Sequence, residues 1–300
     1  MRLRHQFLGL SLAAMLVLPP ASAEEATPAA CPDNAEKVLI RNLVALQNGQ
    51  TDGLNQAYAN ANAVRTRCVD NSLAVGLSAN ILTQIAILLS QSESADALKV
   101  WQEAYTAAIE QDSAPAHADL ALSWENGTEI TLTDAEMHAT VDTMMEANIA
   151  PVIASFAMQR SSFASLLTTD LTACPYAADN QSRAVREAKG LADGVTQDAS
   201  GYSEPGPVLT RLENLRQACP AQAIALTEQA VRAHVEFADA LDEDMTAPMA
   251  SCMANDAITR IADYRALAAD AADEATRATL TKMATWEKRL KTHHVIACKR

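Results

Sequence analysis

The sequence predicts an all-α fold of about twelve helices arranged as antiparallel hairpins, a helical bundle or an irregular α-solenoid, stapled by disulfides. Three observations carry this. Apolar residues recur at helical spacing along nearly the whole chain. Glycine occurs only 9 times in 300 residues, while alanine, the strongest helix former, dominates. Six cysteines follow an export signature, which points to disulfides.

Leu39, Leu43 and Leu46 share one face of a first helix, with Asp33 or Asn34 as its cap. Leu54, Ala57, Tyr58, Ala61 and Val64 line a second. A third, about 72 to 90, is apolar on several faces (Leu77, Ile81, Leu82, Ile85, Ile87, Leu88), as expected of a central, buried helix. Leu98, Trp101, Tyr105 and Ala108 stripe a fourth, and a short fifth runs from about Pro115 to Trp124. The stretch from Gly127 to Thr133 alternates and is strand-like, but one strand makes no sheet. Thr133-Asp134-Ala135-Glu136 is a capping box for a sixth helix. Pro151 begins or kinks the next, which runs to about Thr169. Further helices are expected at about 177–193, 207–218, 220–243, 249–271 and 274–297, with a long loop from Gly194 to Pro207.

The six cysteines are Cys31, Cys68, Cys174, Cys219, Cys252 and Cys298. Cys31, Cys174 and Cys219 each precede a proline, which belongs at a helix start. In a helical hairpin, the start of the first helix lies beside the end of the second. The midpoint between Cys31 and Cys68 falls in the turn Asn48–Gly53, and that between Cys174 and Cys219 falls in the Gly194–Pro207 loop. The midpoint between Cys252 and Cys298 falls beside the weaker break Asp273-Glu274. The pairing expected is therefore 31–68, 174–219 and 252–298. Each bond would close a loop of about forty residues, worth roughly 4 kcal/mol by chain entropy.

Residues 1–23 read as a secretory signal: Arg2 and Arg4, an apolar run from Phe7 to Leu18, then Ala21-Ser22-Ala23 as the cleavage signal. The run is too short to span a bilayer. Cleavage near Ala23 would leave 277 residues at a net charge of −16, a soluble periplasmic or secreted product without an integral membrane segment. Residues 24–30 read as a linker, 31–172 as an N-terminal helical region and 173–300 as a C-terminal one. The boundary is soft, and one continuous domain is the alternative.

The full chain carries 37 Asp+Glu against 23 Lys+Arg, a net charge of −14. That balance argues against a nucleic-acid binder, which needs a basic footprint. Scarce glycine argues against dinucleotide-binding and phosphate-loop architectures. No H-E-x-x-H, C-x-x-C or G-x-S-x-G pattern occurs. His234-Val235-Glu236 matches half of a deaminase signature whose Pro-Cys-x-x-Cys half is missing. Asp242-Glu243-Asp244 lacks the glycine and distal glutamate of a calcium loop.

Met245, Met249 and Met253 recur at intervals of four, and His294 lies in register with Leu280, Met283, Leu290 and Ala297. A bond between Cys252 and Cys298 would bring Met253 and His294 together. Thioether and imidazole are ligands for Cu(I) or haem iron. Against this, methionine commonly fills gaps in cores. Lys282 to Arg300 carries six Lys+Arg and one Glu. Those cations complement the helix dipole, or form a docking face for an acidic partner or the chain's own acidic half. Leu88, Ala97, Trp101 and Ala104 partly resemble a tetratricopeptide unit, but Ile85 stands where a small residue is expected and the closing proline is absent.

The expectation for function is an exported helical binding protein with a protein partner, a basic envelope enzyme such as a wall hydrolase suiting its charge. The alternatives are a copper or haem carrier using Met249, Met253 and His294, and a helical-repeat scaffold. An enzyme whose site is assembled from distant residues is a further possibility that sequence would not display.

Overall fold

The computed structural model describes residues 30–110, 120–123, 129–133, 135–136, 150–159, 161–176, 182–198, 206–243, 247–270, 273–293 and 298. Eleven α-helices lie among them. Four come first: α1 (Ala35–Gln47), α2 (Leu54–Arg67), α3 (Ser72–Gln91) and α4 (Ala97–Glu110). A two-stranded hairpin follows, β1 (Leu120–Ser123) and β2 (Glu129–Leu132). The remainder are α5 (Ala150–Gln159), α6 (Ser161–Thr168), α7 (Ser182–Asp198), α8 (Gly206–Ala218), α9 (Ala223–Glu243), α10 (Ala247–Leu267) and α11 (Glu274–His293). A 3₁₀ turn, Pro220–Gln222, leads into α9. The protein is all-α and disulfide-stapled, with one small hairpin added.

That hairpin corrects the expected fifth helix between Pro115 and Trp124. Leu120 faces Leu132 and Leu122 faces Ile130 across antiparallel strands. The strand-like stretch thus has a partner, and cross-strand pairing decides the local structure. The helix expected from Pro151 to Thr169 is two helices, α5 and α6.

Helix ends follow the sequence only in part. Asn34 is the N-cap of α1, but its side chain makes no capping bond. Asn71 caps α3 by accepting a hydrogen bond from the Ala74 amide at 2.9 Å. The capping box is present, with Thr133 Oγ1 accepting from the Glu136 amide and Glu136 accepting from the Thr133 amide. At the end of α1, Gly49 has φ 75°. The Gln50 amide reaches back to the Ala45 carbonyl and the Gly49 amide to that of Leu46. This motif needs a left-handed residue, which glycine supplies without strain. The end of α3 repeats it with Glu93 at φ 55°, a costlier choice.

Helix α3 is the hub of the first half. It packs on α1, α2 and α4 and carries no charge over its 20 residues. Leu73–Gln91 is long and apolar enough to cross a membrane, yet 83% of it is buried inside the protein. One continuous core runs from Ala35 to Ala250, and a second joins α9, α10 and α11.

Helix α5 packs on α7, and both bury small residues, Ala154 and Ala157 on one and Ala184, Ala188 and Ala192 on the other. Gly194 lies within α7 rather than opening a loop. A Cβ there would sit 2.5 Å from the Ala154 Cβ and 3.0 Å from the Pro151 carbonyl oxygen. Gly194→Ala should therefore destabilise the protein by about 1–3 kcal/mol through overpacking. That outweighs the gain of about 1 kcal/mol in helix propensity. A urea unfolding curve checks the sign.

Candidate functional site

The three disulfides join Cys31 to Cys68, Cys174 to Cys219 and Cys252 to Cys298. They close the bases of the α1–α2, α7–α8 and α10–α11 hairpins. Cys68 and Cys219 are fully buried. Cys219 directly precedes the turn at Pro220, whereas α1 begins three residues after Pro32. The proline rule is thus followed closely at one cysteine and loosely at another.

Titratable groups converge where α4, α7 and α8 meet. On α4, Tyr105 shares the buried face of Trp101 and Ala108. On α7, Glu187 is 3% exposed amid Ala184, Ala188 and Leu191. On α8, Arg211 is 2% exposed beside Val208, Leu212 and Leu215. Tyr176, two residues beyond Cys174, completes the group.

Both oxygens of Glu187 are occupied. Oε1 accepts from the Tyr105 hydroxyl and from Arg211 Nε at 2.9 Å. Oε2 accepts from the Tyr176 hydroxyl at 2.6 Å and from Arg211 Nη2 at 3.5 Å. The guanidinium also lies 5.2 Å from the centre of the Tyr105 ring. Burial works against the Arg211 cation, but the charge and hydrogen bond of Glu187 together with Tyr105 and Tyr176 outweigh it and raise its hold on the proton. Burial first, then the Glu187 charge, push both tyrosines well above their ordinary range.

A carboxylate with four donors around it and almost no exposure is a poor general base. Its chemistry is structural. Isolated burial of either charge would be prohibitive, so the pair requires its hydrogen bonds and the tyrosines supply the remainder. The cluster fixes α4 against the α7–α8 hairpin.

This gives a pH signature. In the folded protein Tyr105 and Tyr176 keep their protons above pH 10, while in the unfolded chain they lose them. The unfolded state then binds fewer protons, so stability falls as pH rises above about 10, by about 1.4 kcal/mol per pH unit for each tyrosine. Tyr176→Phe should remove its share of that slope. Urea midpoints between pH 9 and 11.5 measure it, and equal slopes in the two proteins would contradict the assignment.

The proposed metal ligands are less convergent. Met249 is 41% exposed. Met253 is half-buried and packs on both cores as a filler. Met245 and His294 lie outside the described residues, as do His117 and His138. Among the described residues no group of three or more His, Cys, Asp or Glu side chains is placed to hold a metal. His234 is buried between α9 and α10, and its Nδ1 bonds the Ala230 carbonyl at 2.8 Å. Burial lowers its pKa, so it sits in the core as the neutral imidazole.

A surface hollow of about 490 Å³ lies at the α1–α2 turn, lined by Asn42, Leu46, Gly49, Thr51, Asp52 and Gly53 among others. Its one charged residue is Asp52, and it brings no second titratable group alongside.

The basic end of the chain meets its acidic body. Arg289 of α11 binds Asp239 of α9 at 2.7 Å, and Glu287 is held by Arg265 of α10 and Lys291, both at 2.5 Å. Lys282 lies 4.5 Å from the Trp286 ring centre. Elsewhere Arg216 and Arg260 bridge Glu213 and Asp263 between α8 and α10.

Comparison with known protein families, curated proteins and solved structures found no match.

Proposed function

We propose that this is an exported periplasmic binding protein that docks a basic envelope partner through its acidic surface, a wall hydrolase being the class that fits best. The observation that carries the reading is how the charges are arranged. The chain has a net charge of −14. Arg211, Arg216, Arg232, Arg260 and Arg289 are each engaged with the chain's own carboxylates. Asp33, Asp52, Asp70 and Glu93 stay exposed without an ion-pair partner among the described residues. Several cations neutralised within the fold and acids left exposed, on a chain of this net charge, make a negative field that steers a basic protein. Three disulfides suit an oxidising, exported compartment, and the leader at residues 1–23 suits the periplasm.

The test is titration of the mature protein against a panel of basic wall hydrolases, c-type lysozyme and basic amidases among them. At 50 mM salt at least one should bind, and the affinity should fall about tenfold or more by 300 mM. Reversing Asp52 and Glu93 to lysine should slow association while leaving the unfolding midpoint nearly unchanged. No binding at low salt by any member, or binding indifferent to salt, would remove the reading.

A further inference from the structure

We propose that the Cys252–Cys298 disulfide is a reducible latch, whose opening releases α11 and leaves the rest of the fold intact. The three bonds differ in where they sit. Cys68 and Cys219 are 2% and 0% exposed and belong to the main core, with Cys31 and Cys174 packed against it. Cys252 and Cys298 are both half-buried and belong to neither core. Thiol–disulfide exchange requires that a thiolate reach sulfur, so access favours this bond.

What the bond retains is also distinctive. Among its described side chains, helix α11 fully buries Met283 and Leu290, with Leu280 and Trp286 half-covered. Among the described residues its polar cross-links to α9 and α10 are the ion pairs Arg289–Asp239 and Arg265–Glu287 and the hydrogen bonds of Tyr264 with Thr276 and Thr279. The first joins two side chains each 41% exposed, and such pairs contribute little. Two buried side chains among those described are a small anchor for a 20-residue helix. Met283 and Leu290 share a core cluster with Ile261 and Tyr264 of α10, apolar surface that release would uncover in part.

The chemistry is a two-electron exchange with a dithiol protein of the thioredoxin class. One thiolate of the dithiol attacks a sulfur of the pair, forming a mixed disulfide and freeing the other cysteine. The second thiolate displaces the remaining cysteine. The dithiol leaves as its disulfide, and Cys252 and Cys298 end as two thiols after taking up two protons.

Graded dithiothreitol, alkylation and peptide mapping of the mature protein test the order of opening. Cys252 and Cys298 should be labelled about tenfold faster than the other four. Hydrogen exchange then tests the consequence. In Cys252→Ser/Cys298→Ser the amides of α11 should exchange about a thousandfold faster, the loss expected for opening a loop of this size. Amides of α3 and α7 should stay protected. Simultaneous opening of all three bonds, earlier opening of either other bond, unchanged protection of α11 in the serine variant, or failure of that variant to fold would each overturn the proposal.

Discussion

Replacing Glu187 with glutamine is expected to lower the free energy of unfolding by about 3–5 kcal/mol. The shape of the side chain is nearly kept, so packing is not the cause. The loss comes from Arg211, which is 2% exposed and would keep its charge with no carboxylate beside it. Tyr105 and Tyr176 would each lose an ionised acceptor, and charge-assisted bonds are about twice as strong as neutral ones. Adding Arg211→Met should restore most of the loss, because a neutral pair of similar volume removes the orphaned cation. Thermal or urea unfolding of the two single variants and the double variant checks the coupling. Additive losses would mean that the buried ion pair is not a unit.

Removing the Cys174–Cys219 bond by a double serine substitution is expected to cost about 4 kcal/mol. The bond closes a separation of 45 residues, and its loss restores that freedom to the unfolded chain. The cost is also local. Cys174 is two residues from Tyr176, so the bond holds the tyrosine that donates to Glu187 Oε2 at 2.6 Å. Chain entropy and the buried cluster are therefore coupled. The loss should exceed that from removing Cys31–Cys68, which constrains no buried ion pair. Denaturant midpoints of the two serine pairs compare them directly, and equal losses would show that the cluster does not depend on the bond.

The sequence displayed the hairpins well, because helical periodicity and turn residues are local signals. Asn48 to Gly53 marked a turn whose glycine adopts the left-handed conformation the helix end requires. The pairing of Cys31 with Cys68 followed from that turn. The second pair came from sound topology and a misplaced turn. Gly194 looked like punctuation but serves close packing against Ala154, a contact between helices far apart in sequence. The β1–β2 hairpin was half visible, since four residues of Leu, Ala and Ser give no clear period.

The Glu187 cluster was missed, and its physical reason is plain. Tyr105 and Glu187 are 82 residues apart, and no local pattern joins them. A fainter signal was present. Glu187 on α7 and Arg211 on α8 both interrupt apolar faces on the two arms of one hairpin. Opposite charges placed inward on the two arms of one hairpin are a pairing signature, much as the cysteines were.

On the proposed reading this protein acts by binding a basic protein, with copper or haem binding as the alternative. Native mass spectrometry of the protein, purified gently from its own compartment, tests this most directly. The expected species is a chain beginning at Glu24, lighter by six hydrogens, in a complex with a basic protein that dissociates as the ammonium acetate concentration is raised. Bound copper or haem, lost when His294 is replaced by alanine, would contradict it, as would a chain with no partner at low ionic strength.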